Sequence, residues 1–417
     1  MNTPSSSSRG HTLAAVIGLL VLALALRPAI VSIGPVLLQI QQHFQLSYAQ
    51  ASLLTSIPDV CMALFALLAP GIARRFGADR TVIAALILLG AATLLRALSD
   101  STAALLSSTV LVGVGIAIGG ALIGGWIKTH FAHRASFFMG IYAAGLSVGA
   151  TVAAVSTEFF AQLGGSWRLG AGVWAVLCVA AVISWRMLAT RFATVKPAAT
   201  TPVQTVRLPW NQPKAWLIAL YFGLSQFIVY ALFAWLAPAA TEWAITTITP
   251  GALLGLFTSV FAVASFAMGS LAGRSPDRRL WLAIATALTV LGLAGFYGQS
   301  WLIVSVMLIA VGLGMAFTLA MTLPLDNVHT AAEANTWTVL MLFVGYLIAA
   351  TGPIVFGYLR DHTGGYDLSC LLLLVVSVVM LVLTPMLKPQ SARGHLTDER
   401  RPKGGSEPAR EEGVSVN

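Results

Sequence analysis

Two ionisable side chains, Arg27 and Asp59, stand inside long apolar runs of the sequence. Charged groups are costly within a bilayer, so those that occur there usually face a cavity or each other and mark a functional site. A guanidinium presents a fixed fork of donors and stays charged, which suits an anionic or planar polar substrate. Ser52, Thr55 and Ser56 share the helix face of Asp59, and this polar stripe is predicted to face the interior of a helix bundle.

Two interpretations of the Arg27 and Asp59 pair are open. In the first, Arg27 holds the substrate and Asp59 carries a proton whose movement is coupled to transport. In the second, the two side chains form a permanent ion pair that only joins the first two apolar segments.

A second polar group is predicted to face Arg27 from the other half of the chain. Gln226 stands 199 positions after Arg27, and Tyr230 follows one helical turn later on the same face. The same spacing relates residues 112–118 (VGVGIAI) to residues 311–317 (VGLGMAF). Such a repeat predicts two related halves with a binding site at their interface, formed by Arg27, Gln226 and Tyr230. An interhelical hydrogen bond is the alternative role of Gln226.

Signatures of other chemistries are absent from the sequence. It has no phosphate-binding P-loop, no HExxH zinc motif and no GxSxG nucleophile elbow. Its seven histidines stand in loops, tails or the ends of apolar runs, and its three cysteines lack metal-ligand spacing. We therefore expect no catalytic residues, no metal and no cofactor, and we predict that the protein is not an enzyme.

The composition indicates which elements position these residues. Of 417 residues, 57% are hydrophobic and only 9% are charged, against about 25% charged in soluble domains. A hydrocarbon core ~30 Å thick takes about 20 apolar residues per helix. The sequence thus predicts an all-α polytopic membrane protein with twelve transmembrane helices. The predicted spans are 12–40, 48–72, 81–99, 102–127, 136–160, 169–188, 215–239, 251–272, 280–298, 300–324, 336–358 and 368–387.

Basic residues fall mainly on one side of these spans. Only Arg168 and Arg360 fall on the side opposite the N-terminus, whereas most of the 24 Lys and Arg residues share the side of the termini. This asymmetry predicts a multi-pass inner-membrane protein with both termini in the cytoplasm. Arg96 and Glu158, near span ends, are predicted to reach the headgroups or a local partner.

The net charge of +9 is explained by this topology and by anionic headgroups. The expected partners are a small-molecule substrate and the lipid bilayer, with no nucleic acid and no obligatory protein partner.

Polar intervals divide the chain into five parts. We predict a disordered tail at 1–11, a six-helix bundle at 12–188, a cytoplasmic central loop at 189–214, a second six-helix bundle at 215–387 and a disordered charged tail at 388–417. Two pseudo-symmetric six-helix halves joined by a central loop form the architecture of the major facilitator superfamily. We therefore predict that fold.

Short stretches in both halves carry a family pattern. They include residues 26–28 (LRP), 32–35 (SIGP), 53–58 (LLTSIP), 221–224 (YFGL) and 234–236 (AWL). In these stretches the chain resembles the cyanate permease CynX and 2-nitroimidazole transporter NimT group of the superfamily, over roughly residues 12 to 385. The resemblance implies a proton- or potential-coupled permease for a small anion or small heteroaromatic compound, in which Arg27 matches the family's arginine in the first span.

The chain departs from the family pattern at three positions. The family often has an amide residue where this chain has Gly120, a proline in place of Gly124 and an apolar residue in place of Asp59. Losing a polar group from one cavity helix and gaining a carboxylate in another would redirect specificity or coupling.

These observations predict a secondary transporter of a cyanate-like anion or nitroimidazole-like compound, working by alternating access and coupled to protons. One alternative is a proton-antiport efflux permease for drug-like nitroaromatic compounds. The other is a membrane-embedded ligand sensor.

Overall fold

The computed structural model describes residues 6–192, 208–272, 278–299, 301–328 and 330–388. Within these ranges the chain forms α-helices and short 3-10 turns, without any β-strand. The helices are α1 (Ser6–Leu26), α2 (Pro28–Val31), α3 (Ile33–Phe44), α4 (Tyr48–Phe76), α5 (Ala78–Ala97), α6 (Thr102–Phe131), α7 (Ala135–Leu163), α8 (Trp167–Gly172), α9 (Ala175–Phe192), α10 (Pro213–Glu242), α11 (Pro250–Ala272), α12 (Arg279–Tyr297), α13 (Leu302–Asp326), α14 (Ala331–Thr363) and α15 (Asp367–Leu383).

Twelve segments of the described chain are long and apolar enough to cross a membrane, which confirms the predicted number. Helices α1 to α3 together form the first crossing, and α8 with α9 forms the sixth. Polar side chains cap the N-termini of some of the helices. At the start of α4, the Ser47 hydroxyl accepts from the Gln50 backbone N–H, and the Gln50 side chain accepts from the Ser47 N–H.

The crossings form two bundles of six, as predicted. In the first bundle α1 packs on α7 and α9, and α5 packs on α6; in the second, α11 and α12 pack on α13. The halves meet along α4 with α14 and along α7 with α11. Helix α10 contacts α14 in its own half and α3 in the other, and every side chain from Ser225 to Ala240 is buried. The centre of the molecule is therefore built around α10.

The two ends of the bundle can be distinguished by the positions of the chain termini. Because the number of crossings is even, the first helix starts and the last helix finishes at the same end, which we call the terminal end; the opposite end is the distal end.

Helix α1 begins at Ser6, so residues 6–11, predicted to be disordered, are helical. Helix α9 continues to Phe192, beyond the predicted boundary at 188. Predictions for residues 1–5, 193–207 and 389–417 lie outside the described residues.

The first crossing is interrupted at Arg27 and again at Ser32. Pro28 has no N–H, so the carbonyl of Leu24 loses its intrahelical donor. Gly149 of α7 packs against this carbonyl, and a Cβ at that position would lie 2.8 Å from the Leu24 oxygen. The interrupted segment and α7 can therefore approach each other closely only because the position is a glycine.

A network of polar contacts closes the distal end. The backbone N–H groups of Tyr48 and Ala49 donate to the two carboxylate oxygens of Asp361, at 2.8 and 2.9 Å. The Tyr48 hydroxyl donates to Glu242 at 2.8 Å, and Arg360 forms an ion pair with Glu242 at 2.6 Å. These contacts join α4 of the first half to α10 and α14 of the second.

Two further contacts extend this closure. The Ser52 hydroxyl donates to the Pro353 carbonyl at 2.7 Å, and a Cβ on Gly357 would lie 2.6 Å from the Ser52 oxygen, so α4 and α14 touch here. Tyr366 donates to Glu242 at 2.8 Å. Burial and the Glu242 carboxylate raise the pKa of Tyr366, which keeps its phenol protonated as a donor.

Candidate substrate-binding site

A cavity of about 290 Å³ lies between the two halves. It is lined by Arg27 and by residues of α7, α10, α11 and α13. Towards the terminal end it reaches Met139 and Phe266, whose side chains are exposed. Most of the wall is apolar, and its polar groups are few. They are Arg27, Tyr142, Ser147, Gln226, Tyr230, Thr258 and Ser265.

Arg27 stands at the break between α1 and α2 and is half-buried because it borders this cavity. Its Nη1 donates a hydrogen bond to the Tyr230 hydroxyl at 3.2 Å. Among the described residues, no carboxylate forms an ion pair with Arg27. The bond to Tyr230 uses one of the five N–H donors of the guanidinium, so the group retains donor capacity at the cavity.

Asp59 is fully buried in α4, and among the described residues neither of its carboxyl oxygens has a partner in good hydrogen-bond geometry. The Tyr230 hydroxyl and the Arg27 guanidinium are its polar neighbours, but Arg27 does not reach ion-pair distance. The permanent Arg27–Asp59 pair that one interpretation required is therefore not formed in this structure. The neighbouring Ser52 and Ser56 are also buried, and the Ser56 hydroxyl has no partner.

Gln226 and Tyr230 of α10 line the same cavity as Arg27. Gln226 is only 3% exposed, and its carboxamide oxygen makes no hydrogen bond. The structure thus brings Arg27, Gln226 and Tyr230 together. Asp59 stands beside Tyr230 but is not part of the cavity wall.

Two phenols that the sequence reasoning missed complete the cluster. Tyr142 of α7 lines the cavity, and the ring of Tyr346 of α14 lies 6.4 Å from that of Tyr230. Both lie close to the Arg27 guanidinium. The sequence feature that could have identified them is a tyrosine in the middle of an apolar run. The internal repeat does not identify Tyr142, because the position 199 residues later is Met341.

Other regions offer less chemistry. Within the described ranges, no three His, Cys, Asp or Glu side chains come together to hold a metal ion. A larger groove of about 710 Å³ between α12 and α15 is lined by residues such as Leu280, Trp281 and Leu381 and contains none of the predicted site residues. We therefore place the candidate site in the Arg27 cavity.

Arg96 departs from its prediction. It was expected to reach headgroups or a local partner, but it is fully buried, and its Nη2 donates to the Ala29 carbonyl at 2.9 Å. The reason is that α5 packs against α6, α8 and α9 and directs this side chain towards the first crossing. Glu158, by contrast, has local partners: it accepts from Gln162 one turn further along its own helix, and its carboxylate lies beside Gly251 of α11.

Twelve crossings in two halves around a central cavity that contains a few polar groups define a membrane transporter whose halves are related by a parallel repeat. The sequence profile of the Major Facilitator Superfamily matches residues 15–350 and 236–414. The chain is 34% identical to the cyanate transport protein CynX of Escherichia coli (strain K12), covering 89% of this chain and 97% of CynX. It is 26% identical to the 2-nitroimidazole transporter of the same organism, covering 92% and 97%.

A further relative is the uncharacterized transporter YycB of Bacillus subtilis (strain 168), 30% identical over 87% of this chain and 90% of YycB. The chain therefore belongs to the major facilitator superfamily, in the group that contains CynX and the 2-nitroimidazole transporter, which confirms the resemblance inferred from the sequence.

Solved structures agree on the fold. A bacterial homologue of the human lysosomal transporter Spinster, in an inward-facing and occupied conformation, matches with a TM-score of 0.70 and 19% identity over 96% of this chain and 100% of that one. The nucleoside transporter NupG matches with a TM-score of 0.70 and 12% identity over 89% and 99%.

Proposed function

We propose that the protein is a secondary active transporter that carries a small anion across the inner membrane together with a proton. Both termini face the cytoplasm, so the terminal end of the cavity opens inwards and the closed distal end faces outwards. The substrate passes unchanged, without a catalytic residue, metal or cofactor. Its partners are the substrate and the bilayer, with no nucleic acid and no obligatory protein partner.

The observation that carries this proposal is the position of Arg27 at the cavity without an ion-pair partner in the described chain. Its guanidinium borders a small cavity and has no carboxylate partner among the described residues. A cation without an ion-pair partner, in a cavity whose other polar groups are neutral, favours an anionic ligand, which it can bind with two parallel hydrogen bonds. The hydroxyls of Tyr142 and Tyr230 and the amide of Gln226 would add neutral contacts.

The size of the cavity supports a small substrate. Its volume of about 290 Å³ lies at the lower limit of the ~300 to 1,000 Å³ that drug-sized ligands occupy. The relationship to a protein named for cyanate transport agrees with a compact anion.

Asp59 is the group that we propose to carry the proton. Import of an anion against an inside-negative potential costs about 2.3 kcal/mol per charge per 100 mV, and one co-transported proton removes this cost. Asp59 is buried beside Tyr230 and Arg27, and no cation among the described residues forms an ion pair with its carboxyl group. Such a carboxyl can take up and release a proton without first breaking an ion pair.

Ligand-induced thermal stabilisation tests the anion site. Purified wild-type protein and the Arg27→Ala variant are heated with cyanate, other small anions and neutral nitroheterocycles. A bound ligand raises the melting temperature by mass action. We expect an anion to stabilise the wild-type protein but not Arg27→Ala, and we expect Arg168→Ala, outside the cavity, to behave as wild type. Stabilisation by anions that survives in Arg27→Ala would remove Arg27 from the site.

A second candidate is efflux of neutral nitroaromatic compounds by proton antiport. It is favoured by the aromatic side chains of Phe233, Phe261 and Phe317 in the cavity wall and by the relationship to a 2-nitroimidazole transporter. In this case neutral heterocycles would stabilise the protein equally with and without Arg27. Cells that overproduce the protein would also gain resistance to them.

Thiol labelling in intact cells tests the proposed orientation. The natural cysteines are buried, so single cysteines introduced at the exposed positions Gln42 (distal) and His133 (terminal) can be distinguished. A membrane-impermeant reagent added from outside should label position 42 and not position 133. The reverse pattern would invert the topology.

A further inference from the structure

Arg96 is a buried charge that the proposed mechanism does not use. It is fully inaccessible, and no carboxylate among the described residues pairs with it. Its Nε and Nη1 atoms have no hydrogen-bond partner, and only Nη2 is engaged, with the Ala29 carbonyl. An unneutralised cation in such a place is costly, so its presence calls for a role.

The role follows from the break in the first crossing. In a continuous helix the Ala29 carbonyl would accept from the N–H of residue 33. The backbone bonds that span the break instead run from Ile30 and Val31 to the Arg27 carbonyl and from Ser32 to the Pro28 carbonyl. None of them reaches Ala29. A free carbonyl inside a membrane bundle needs a donor from a neighbouring helix, and Arg96 supplies it.

We propose that Arg96 is a positioning residue that fixes the break in the first crossing and, through it, the direction of Arg27. Ala29 is two residues from Arg27, within the four-residue helix α2 that both interruptions leave without continuous helical bonding. A rotation of α2 would carry Arg27 away from Tyr230, with which it makes a single bond of 3.2 Å. The long planar guanidinium of Arg96 reaches from α5 to α2 and holds this segment. The inference rests on the proposed function, because it assumes that the direction of Arg27 matters for substrate.

Two variants and a matched control test the proposal. Arg96→Met keeps a long side chain without a donor, and Arg96→Lys keeps a donor and the charge. Arg168→Met is the control, because Arg168 also stands near the distal end of the first half and also donates to a backbone carbonyl, but its hydrogen bond and ion pair go to Ala97 and Asp100 rather than to the first crossing.

The first measurement needs no substrate. Hydrogen–deuterium exchange of a peptide covering residues 28–36 should become faster in Arg96→Met, stay close to wild type in Arg96→Lys and remain unchanged in Arg168→Met. Unchanged exchange in Arg96→Met would overturn the proposal. If Arg96→Met does not yield folded protein, Arg96→Gln replaces it, since its shorter side chain loses the reach to Ala29.

The second measurement is the affinity for cyanate, taken from thermal shifts over a concentration series. We expect Arg96→Met to weaken binding about tenfold, because small displacements of a positioned group reduce its effectiveness strongly, and Arg96→Lys to restore it to within about threefold. Equal affinity in wild type and Arg96→Met would contradict the proposal. If no anion binds the wild-type protein, the proposed function fails, and the exchange experiment still decides whether Arg96 holds the break.

Discussion

The distal end and the Arg27 cavity use polar groups in opposite ways. At the distal end, Glu242 accepts from two phenols and one arginine, and Asp361 accepts from two backbone N–H groups. Within the described residues, Asp59 beside the cavity and the carboxamide oxygen of Gln226 in its wall have no well-formed hydrogen bond, and Arg27 makes one hydrogen bond to a neutral phenol. The first set joins the two halves, and the second is left with capacity for a ligand.

The two regions therefore contribute to the free energy in different ways. A buried polar group without a partner costs about 1 to 3 kcal/mol, so its persistence near the cavity indicates that something else completes it. A satisfied network that spans both halves stabilises one conformation and must break when that conformation changes. The cavity groups should therefore determine what is transported, and the distal groups should determine which side is open.

The largest expected effect is that of Arg27→Ala on anion transport. Removing a buried charge–anion contact costs about 2 to 5 kcal/mol, so uptake of a small anion into proteoliposomes should fall by at least about 30-fold. Folding should be little affected, because no ion pair is broken. Arg27→Lys, which keeps the charge but not the fork, should retain intermediate activity. Full uptake by Arg27→Ala would mean that the cavity groups do not select the substrate.

Asp59→Asn should separate transport from the proton gradient. One pH unit across the membrane is worth about 1.4 kcal/mol, or about tenfold accumulation for one proton. Asp59→Asn should lose this accumulation while it continues to exchange internal for external substrate. The measurement is uptake with and without an imposed gradient, with Glu158→Gln as the carboxylate control. Gradient-driven accumulation by Asp59→Asn would show that a group other than Asp59 carries the proton.

Tyr230→Phe should have a smaller effect, because it removes one hydroxyl. Among the described residues that hydroxyl is the sole hydrogen-bond partner of Arg27; it donates to the Met62 sulfur at 4.0 Å and lines the cavity in which substrate would bind. Hydrogen bonds to charged groups contribute about 1.5 to 3 kcal/mol, so binding should weaken at least about tenfold. Tyr221→Phe is a matched control on the same helix, since its hydroxyl bonds to Thr286 within the second half. Equal losses in both variants would indicate a general effect of altering α10.

The cavity was more predictable from the sequence than the distal end. Arg27 was found because a charge inside an apolar run is rare, and Gln226 and Tyr230 were found because the repeat relates α10 to the first crossing. The interruption at Ser32, the contact of Arg96 and the partners of Glu242 depend on which helix lies opposite. A periodic pattern gives the face of a helix but not its neighbour, so such contacts were missed.

The smallest expected effect is that of Glu242→Gln on the population of the closed distal end. This variant tests whether the distal network determines which side is open. The carboxylate accepts from Tyr48, Tyr366 and Arg360, so its neutral amide would lose the ion pair and offer one acceptor oxygen instead of two. The Arg360–Glu242 pair is about one-fifth exposed, which limits its contribution to about 1 kcal/mol. That energy corresponds to about a fivefold shift in the population of the closed distal end.

Spin labels at Gln50 and Gln299, exposed positions at the distal ends of the two halves, report this shift. Glu242→Gln should add a population with a longer distance between the labels, whereas Asp100→Asn, which removes an ion pair with Arg168 inside the first half, should not. Cyanate affinity in the closed state should stay unchanged, because Glu242 is not part of the cavity wall. If Glu242→Gln instead altered affinity and left the distance distribution unchanged, the distal network would belong to substrate selection, and the division between the two regions would be wrong.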